Sequence, residues 1–289
     1  VSINTNGTLI DRKWAEFLSI HRPTRINLTL YGASEEAYRA LCGSGDAYRR
    51  VVEAVALLKE YRIPLKFNAS ITPENVADLP TMIAFAREQE CPIQVATYMF
   101  PPLRRDSSLV GQNDRLSPED AALARATADL LQNEPEWFVT QAMRFREFIP
   151  LEKKPWEMGL PREEAMRCRA GLCSLWVDWQ GNFSNCGMYP SVSVPDTLPS
   201  FREKWEQVVS DTAQVRFTAA CFGCPNRPLC HPCIAMIHNE CGSHEGRPEY
   251  MCRMNEALSR CYDQLAREHY PDVSPIFGIA QEPSDTCEI

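Results

Sequence analysis

This sequence predicts an α/β fold in which parallel strands alternate with helices, followed by a cysteine-rich region with a β-hairpin and a terminal helix. Strand-like and helix-like patterns alternate through residues 1–100 at about 30 residues per unit, the spacing of parallel strands joined by right-handed crossovers in a barrel or an open sheet. Ten of the thirteen cysteines fall between Cys168 and Cys261, so a second region with different chemistry follows the first. Hydrophobic residues make up 44% of the 289-residue chain and charged residues 24%, enough for an ordinary core and for one large or two smaller domains.

The elements follow in order. VSINTNG opens with an extended run that stops at the turn signal Asn6-Gly7, and amphipathic LIDRKWAEFLSI comes next. RINLTLYG is a second strand, with Leu28 and Leu30 on one face and a stop at Gly32. DAYRRVVEAVALLKEY sets Val51, Val55 and Leu58 at helical spacing. LKFNASI is the third strand, Asn75 is a candidate cap for the helix through VADLPTMIAFAREQE, and IQVATYMF is the fourth strand. The polar, turn-rich PPLRRDSSLVGQNDR marks a functional loop or boundary, and two helical segments follow, SPEDAALARATADLLQ and EWFVTQAMRFREFI. SLWVDWQGNFSNC alternates across Gln180-Gly181 as a hairpin, a helix spans Phe201 to Val209, and EYMCRMNEALSRCYDQLAREH is the terminal helix. These readings divide the chain into a barrel part (1–105), a helical linker region (106–161), a cysteine-rich domain (162–270) and a loose tail (271–289).

Charge and hydropathy narrow the function classes. A net charge of −8 argues against duplex nucleic acid, whose phosphates must be met by Lys and Arg. No apolar run approaches the roughly 20 residues that span a bilayer, so no membrane partner is expected and the reading is a cytoplasmic protein. Thirteen cysteines in a reducing compartment point to metal binding before disulfides.

Cys221 and Cys224 form one C-x2-C, Cys230 and Cys233 another, with five residues between the pairs. Two-residue spacing lets a turn aim both sulfurs at one metal centre while backbone N–H groups point at the thiolates. Pro225 and Pro232 stiffen these loops. Cys168, Cys173 and Cys186 flank the hairpin and Cys252 opens the terminal helix, so eight thiols are available for two four-ligand sites. The spacing suits structural zinc and iron–sulfur clusters alike.

The pattern C-x12-G-x4-C from Cys168 through Gly181 to Cys186, then C-x2-C-x5-C-x2-C from Cys221 to Cys233, then Cys252, resembles the SPASM domain of radical S-adenosylmethionine (SAM) enzymes. One spacing departs from it: that family has three residues before the position of Cys233. CRAG at Cys168, VDWQG before Cys186 and PEYMC at Cys252 are similar as well. TNGTLID, NLTLYGASEEAY and GDAYRRVVEAVALLKEYRIPLKFNASITPENVADL resemble the third to fifth units of the radical SAM core, a partial (β/α)6 barrel. The resemblance covers roughly residues 1–260 and favours iron–sulfur over zinc.

The resemblance implies an enzyme using a 5'-deoxyadenosyl radical, derived from S-adenosyl-L-methionine, to modify a peptide or protein. It implies two auxiliary [4Fe-4S] clusters and an electron donor such as flavodoxin or ferredoxin. Cys221, Cys224, Cys230 and Cys252 would hold one cluster; Cys168, Cys186 and Cys233 would hold the other, with Cys173 the candidate fourth ligand. Thr29 matches a position that contacts the cofactor ribose, and Asn6 and Asn68 sit at strand ends facing the expected barrel mouth. Cys241 and Cys261 have no place in the pattern. His231 and the pair Arg104 and Arg105 are weaker candidates, for ligation and for binding a carboxylate. Sulfatase-maturing relatives carry an Asp where Gly187 stands, which favours a different peptide modification. The C-x3-C-x2-C that holds the SAM-cleaving cluster occurs nowhere in this sequence, nor does a GGEP-like stretch. The expectation is an N-terminally truncated enzyme that is inactive alone; the alternative is a non-catalytic iron–sulfur or zinc scaffold.

Overall fold

The computed structural model describes residues 1–102, 106–147, 168–189, 191–216, 218–221, 224, 226, 230 and 233–272. The chain forms two compact units: Val1–Met99, Asp114–Ala142 and Ala257–Ile289 make the first, and Phe100–Asn113 with Met143–Glu256 the second. The segment read as a helical linker is thus divided between them.

The first unit is built on a four-stranded parallel sheet of β1 (Ser2–Thr5), β2 (Arg25–Thr29), β3 (Leu65–Ser70) and β4 (Ile93–Ala96), in that spatial order. Strictly sequential order is the progression of a barrel, not of a doubly wound sheet with a switch point. Period-two alternation sends Ile26, Leu28, Leu65, Phe67 and Ala69 to one buried face. Burying each large side chain of this kind stabilises by roughly 1.5–3 kcal/mol. The opposite face is a polar ladder: Asn27 Nδ2 donates to Asn4 Oδ1 at 2.8 Å, Lys66 reaches Gln94, and Thr29 stands opposite Asn68 in register.

Helices α1 (Arg12–Ile20), α2 (Glu35–Cys42), α3 (Asp46–Glu60) and α4 (Leu79–Glu88) connect the strands. α1 starts where the Asp11 carboxylate accepts from Trp14 N at 2.9 Å. α2, which the periodicity did not single out, carries its own signals: Ser34 accepts from Ala37 N at 3.1 Å, and Gly43 closes the helix at φ 71°.

Asn75 corrects an expectation, because its side chain caps no helix. It is fully buried and ties two loops together: Nδ2 donates to Tyr31 O at 2.9 Å and to Ser70 O at 3.0 Å, while Oδ1 accepts from Thr72 N at 2.8 Å. These loops follow β2 and β3, so one amide sets the spacing of the two strand ends. Asp78 adds to the clamp by accepting from Ala33 N at 2.9 Å. α5 (Pro118–Gln132) and α6 (Pro135–Glu147) follow, the first capped by Ser117 with Pro118 at its start.

The second unit holds a short antiparallel sheet of β5 (Trp176–Val177), β6 (Phe183–Ser184) and β7 (Ser193–Val194), with α7 (Phe201–Gln214) and α8 (Ile234–Cys241). The hairpin lies where alternation placed it, β7 is an added strand, and α7 runs five residues beyond Val209. Asp178 organises the hairpin turn: its carboxylate accepts from Gln180 N at 2.8 Å, Asn182 N at 2.9 Å and Asn182 Nδ2 at 2.8 Å, with Gly181 at φ 86°. Phe183, Tyr189, Val194, Val208, Ile234 and Ile237 form the core.

The terminal helix α9 (Glu249–His269) contributes to both units. From Ala257 onward it belongs to the first, where Tyr262 packs on Phe138 at 5.1 Å and its hydroxyl donates to the Asp129 carboxylate. Arg104, Arg105, His231, Pro225, Pro232 and the tail beyond Asp272 lie outside the described residues. Among the described residues no helix is long and apolar enough to cross a membrane.

Two predictions follow from the clamps. Asn75→Ala leaves Thr72 N–H and two loop carbonyls unpaired in a buried site, and a denaturant melt should record a loss of about 2–3 kcal/mol. The Asp178 carboxyl is held below its usual range by Asn182 and by neighbouring backbone N–H groups. A depressed folded value means the turn's stability is present above the unfolded pKa of about 3.9 and is lost as pH falls through the folded value. An NMR titration of the Asn182 amide should show this transition in the wild type and not in Asp178→Asn.

Candidate metal centre

The second unit brings thiols from distant parts of the chain together. Cys221, Cys224, Cys230, Cys233 and Cys252 line one cavity of about 300 Å³. Each is positioned by local backbone structure. Cys221 N donates to Thr218 O at 3.0 Å at the end of a short 3-10 turn, and Thr218 is itself held by its hydroxyl on Glu245 O at 2.7 Å. Cys230 N donates to Asn226 O at 3.0 Å, and Cys252 N, in the first turn of α9, donates to Pro248 O at 3.0 Å. Cys233 is the N-cap of α8, where free N–H groups and the positive end of the helix favour a thiolate.

A second grouping adjoins Cys233. Cys186 and Cys168 lie close enough to act on it electrostatically, and Cys186 acts on Cys168 in turn. Cys186 is set at the end of the hairpin, with Met188 N donating to its sulfur at 3.4 Å. Buried Asn239 of α8 donates to Met188 O at 2.9 Å and to Ala235 O at 2.7 Å, so the chain after Cys186 is fastened to the helix that Cys233 caps. Cys173 is exposed in the turn Arg169–Ser174, its N–H on Arg169 O at 3.1 Å. Cys241, which the spacing left without a place, lies within electrostatic reach of Cys252 and Cys221. Only the fold could reveal this.

Burial pushes the thiols of Cys233, Cys168 and Cys252 up, the direction expected when an anion loses water. Opposing effects are built in. The N–H groups of Met236 and Ala235 hold Cys233 down, that of Ala170 holds Cys168 down, and Arg247 does the same for Cys252. Thiols pushed up in this way hold their protons more firmly, so a metal bound by them would release protons.

The donor set fits an inorganic cluster. Among the described residues no three His, Cys, Asp or Glu side chains sit tightly enough to hold one metal ion. Thiolates around a single zinc, at Zn–S of about 2.3 Å, crowd together, whereas those around a cluster stand apart around an object of several atoms. Five thiols line one cavity here, a soft-donor set of the kind both groups use.

In the first unit, Thr29 and Asn68 face each other in register on the polar side of the sheet, half-buried. Asn6 lies just beyond β1, and its carboxamide oxygen accepts from Thr8 N at 3.2 Å and Thr8 Oγ1 at 3.0 Å, which occupies it in its own turn. Asn4, Asn27, Lys66 and Gln94 complete the polar face; strand alternation carried that signal, but separate strands do not reveal register.

Comparison with known proteins agrees with this architecture. Residues 1–86 match the Radical SAM superfamily model. An AdoMet-dependent heme synthase of Methanosarcina barkeri is 21% identical over 257 residues, covering 84% of this chain and 72% of that protein. A cysteine-type anaerobic sulfatase-maturating enzyme of Clostridium perfringens is 26% identical over 121 residues, and the match spans only 32% of its length. Among solved structures, native anSMEcpe with bound AdoMet superposes with a TM-score of 0.60 at 17% identity, over 94% of this chain and 75% of that one. Streptococcus suis SuiB bound to its precursor peptide SuiA gives 0.59 at 16%, over 87% and 58%. Residues 1–86, which hold the first three strands of the sequential parallel sheet, are thus similar to the Radical SAM superfamily, and the chain has the fold of these solved neighbours.

Proposed function

We propose that this chain carries the auxiliary clusters of an enzyme that modifies a peptide or protein by radical chemistry. The observation that carries the reading is the cavity of about 300 Å³ lined by Cys221, Cys224, Cys230, Cys233 and Cys252. Cys221, Cys224, Cys230 and Cys252 would hold one [4Fe-4S] cluster. Cys233, turned toward Cys186 and Cys168, would hold a second with those two, and Cys173 is the one remaining thiol from the hairpin region available as its fourth ligand. Bound there, such clusters supply one-electron transfer, and S-adenosyl-L-methionine supplies the 5'-deoxyadenosyl radical that removes a substrate hydrogen atom.

The protein's own residues orient and enclose. The α8 N–H groups stabilise the Cys233 thiolate, Arg247 stabilises that of Cys252, and the cavity walls of Ile237 and Met251 exclude water. On the sheet, Thr29 and Asn68 are the candidates to contact the cofactor, with Asn6 a third. A peptide substrate is supported by the kind of relatives this fold has, one bound to a precursor peptide and one a maturating enzyme. Sulfatase maturation is disfavoured at Gly187: a Cβ there would meet the Trp176 ring at 2.8 Å, so an acid at this position requires the indole to move. An electron donor such as flavodoxin or ferredoxin and a cytoplasmic setting belong to the same reading.

A second reading keeps the thiol cavity and drops the radical step. In that case the second unit is a metal scaffold without radical chemistry.

Anaerobic reconstitution should give a brown protein with about eight iron and eight sulfide per chain, and Cys221→Ser or Cys252→Ser should remove about half of each. A colourless protein with stoichiometric zinc would reverse the assignment. Supplied with S-adenosyl-L-methionine and a reductant, the 289-residue chain should release no 5'-deoxyadenosine above background. Release at enzymatic rates would place a SAM-cleaving cluster on cysteines other than the missing motif.

A further inference from the structure

Among the described residues that line the thiol cavity, Arg247 is the one Lys or Arg. Its guanidinium donates to the sulfur of Cys252 and acts electrostatically on Cys224. Its charge is also shared with a carboxylate, since Nε lies 3.5 Å from Glu249 Oε2. Both partners of that pair are largely exposed, at 63% and 67%. Arg247 sits just ahead of Pro248, whose carbonyl accepts from Cys252 N, so the arginine and the thiol are held on one turn that opens α9.

We propose that Arg247 is a positioning and tuning residue for the centre held by Cys221, Cys224, Cys230 and Cys252: its donation to the Cys252 sulfur raises that centre's reduction potential, and Glu249 moderates the effect. The inference rests on the cluster reading given above. The physical reason is charge. Reduction adds an electron to an already anionic thiolate-bound centre, and a cation donating to one of its sulfurs stabilises the reduced form more than the oxidised form. Neutralising the cation therefore makes reduction harder, and removing the carboxylate that shares it makes reduction easier. Because the guanidinium is exposed, the effect is screened by salt, which a purely structural role would not be.

The test uses the reconstituted full chain and an EPR-monitored redox titration of wild type, Arg247→Gln, Arg247→Lys and Glu249→Gln, with iron content measured for each. In Arg247→Gln one of the redox transitions should shift so that its one-electron reduction equilibrium is about tenfold less favourable, about 59 mV lower, and the other should stay in place. Arg247→Lys, which keeps the charge and loses the planar donor, should recover part of the shift. Glu249→Gln should move the same transition upward, and both shifts should shrink as ionic strength rises. Should the glutamine variant fail to retain its iron, Glu249→Gln decides with the opposite sign. Full iron content in every variant with no transition moved would overturn the role of Arg247 and leave the cluster reading intact. A wild-type chain that takes up no iron would overturn both.

Discussion

Holding thiolates out of water without a counter-charge is unfavourable, and the second unit gathers several cysteine sulfurs around one small volume. Burial pushes Cys168, Cys233 and Cys252 toward their neutral forms, while helix N–H groups and one arginine pull the other way. That balance leaves the sulfurs close to one another yet unbonded, so a metal-based group that joins them gains both ligation and relief of desolvation. The rest of the unit is arranged around this requirement. Its sheet strands are two residues long and its core is a modest set of side chains around Phe183, Tyr189 and Ile234, so metal ligation would add substantially to a framework with limited regular structure.

The polar fastenings in this unit serve the thiols. Asn239 joins α8 to the segment after Cys186, Thr218 anchors the approach to Cys221, and Asp178 shapes the turn that returns the chain toward Cys186. Each satisfies buried or turn backbone groups and so fixes the segments that carry the cysteines. Arg247 extends the same logic outward, placing a positive charge on the solvent side of the cavity where it can bias an electron without sealing the site.

The first unit solves a different problem. A parallel sheet buries one face under helices and here leaves the other polar, with Asn4, Asn27, Thr29, Lys66, Asn68 and Gln94 sharing it. Asn75 and Asp78 then fix the loops at the carboxyl ends of β2 and β3, the edge where this architecture presents its ligands. Rigid loops at that edge keep any bound cofactor in register with the strand-end side chains.

Much of this was legible from residue order. Period-two and helical spacing found the four parallel strands and most helices, because those patterns are local consequences of which faces are buried. The C-x2-C pairs mark closely spaced soft donors for the same local reason. Asn75 was misread because a cap and a loop clamp use the same side chain, and only the folded chain decides which backbone groups come within reach. α8 escaped notice because its cysteine-flanked apolar stretch is short, and β7 because two residues carry no period. Which thiols share a cavity, that Cys233 adjoins both groups, and that Cys241 lies near Cys252 were settled by tertiary structure alone. Thiols tens of residues apart in the chain meet only when hairpin and helices pack, and no short-range pattern encodes that distance.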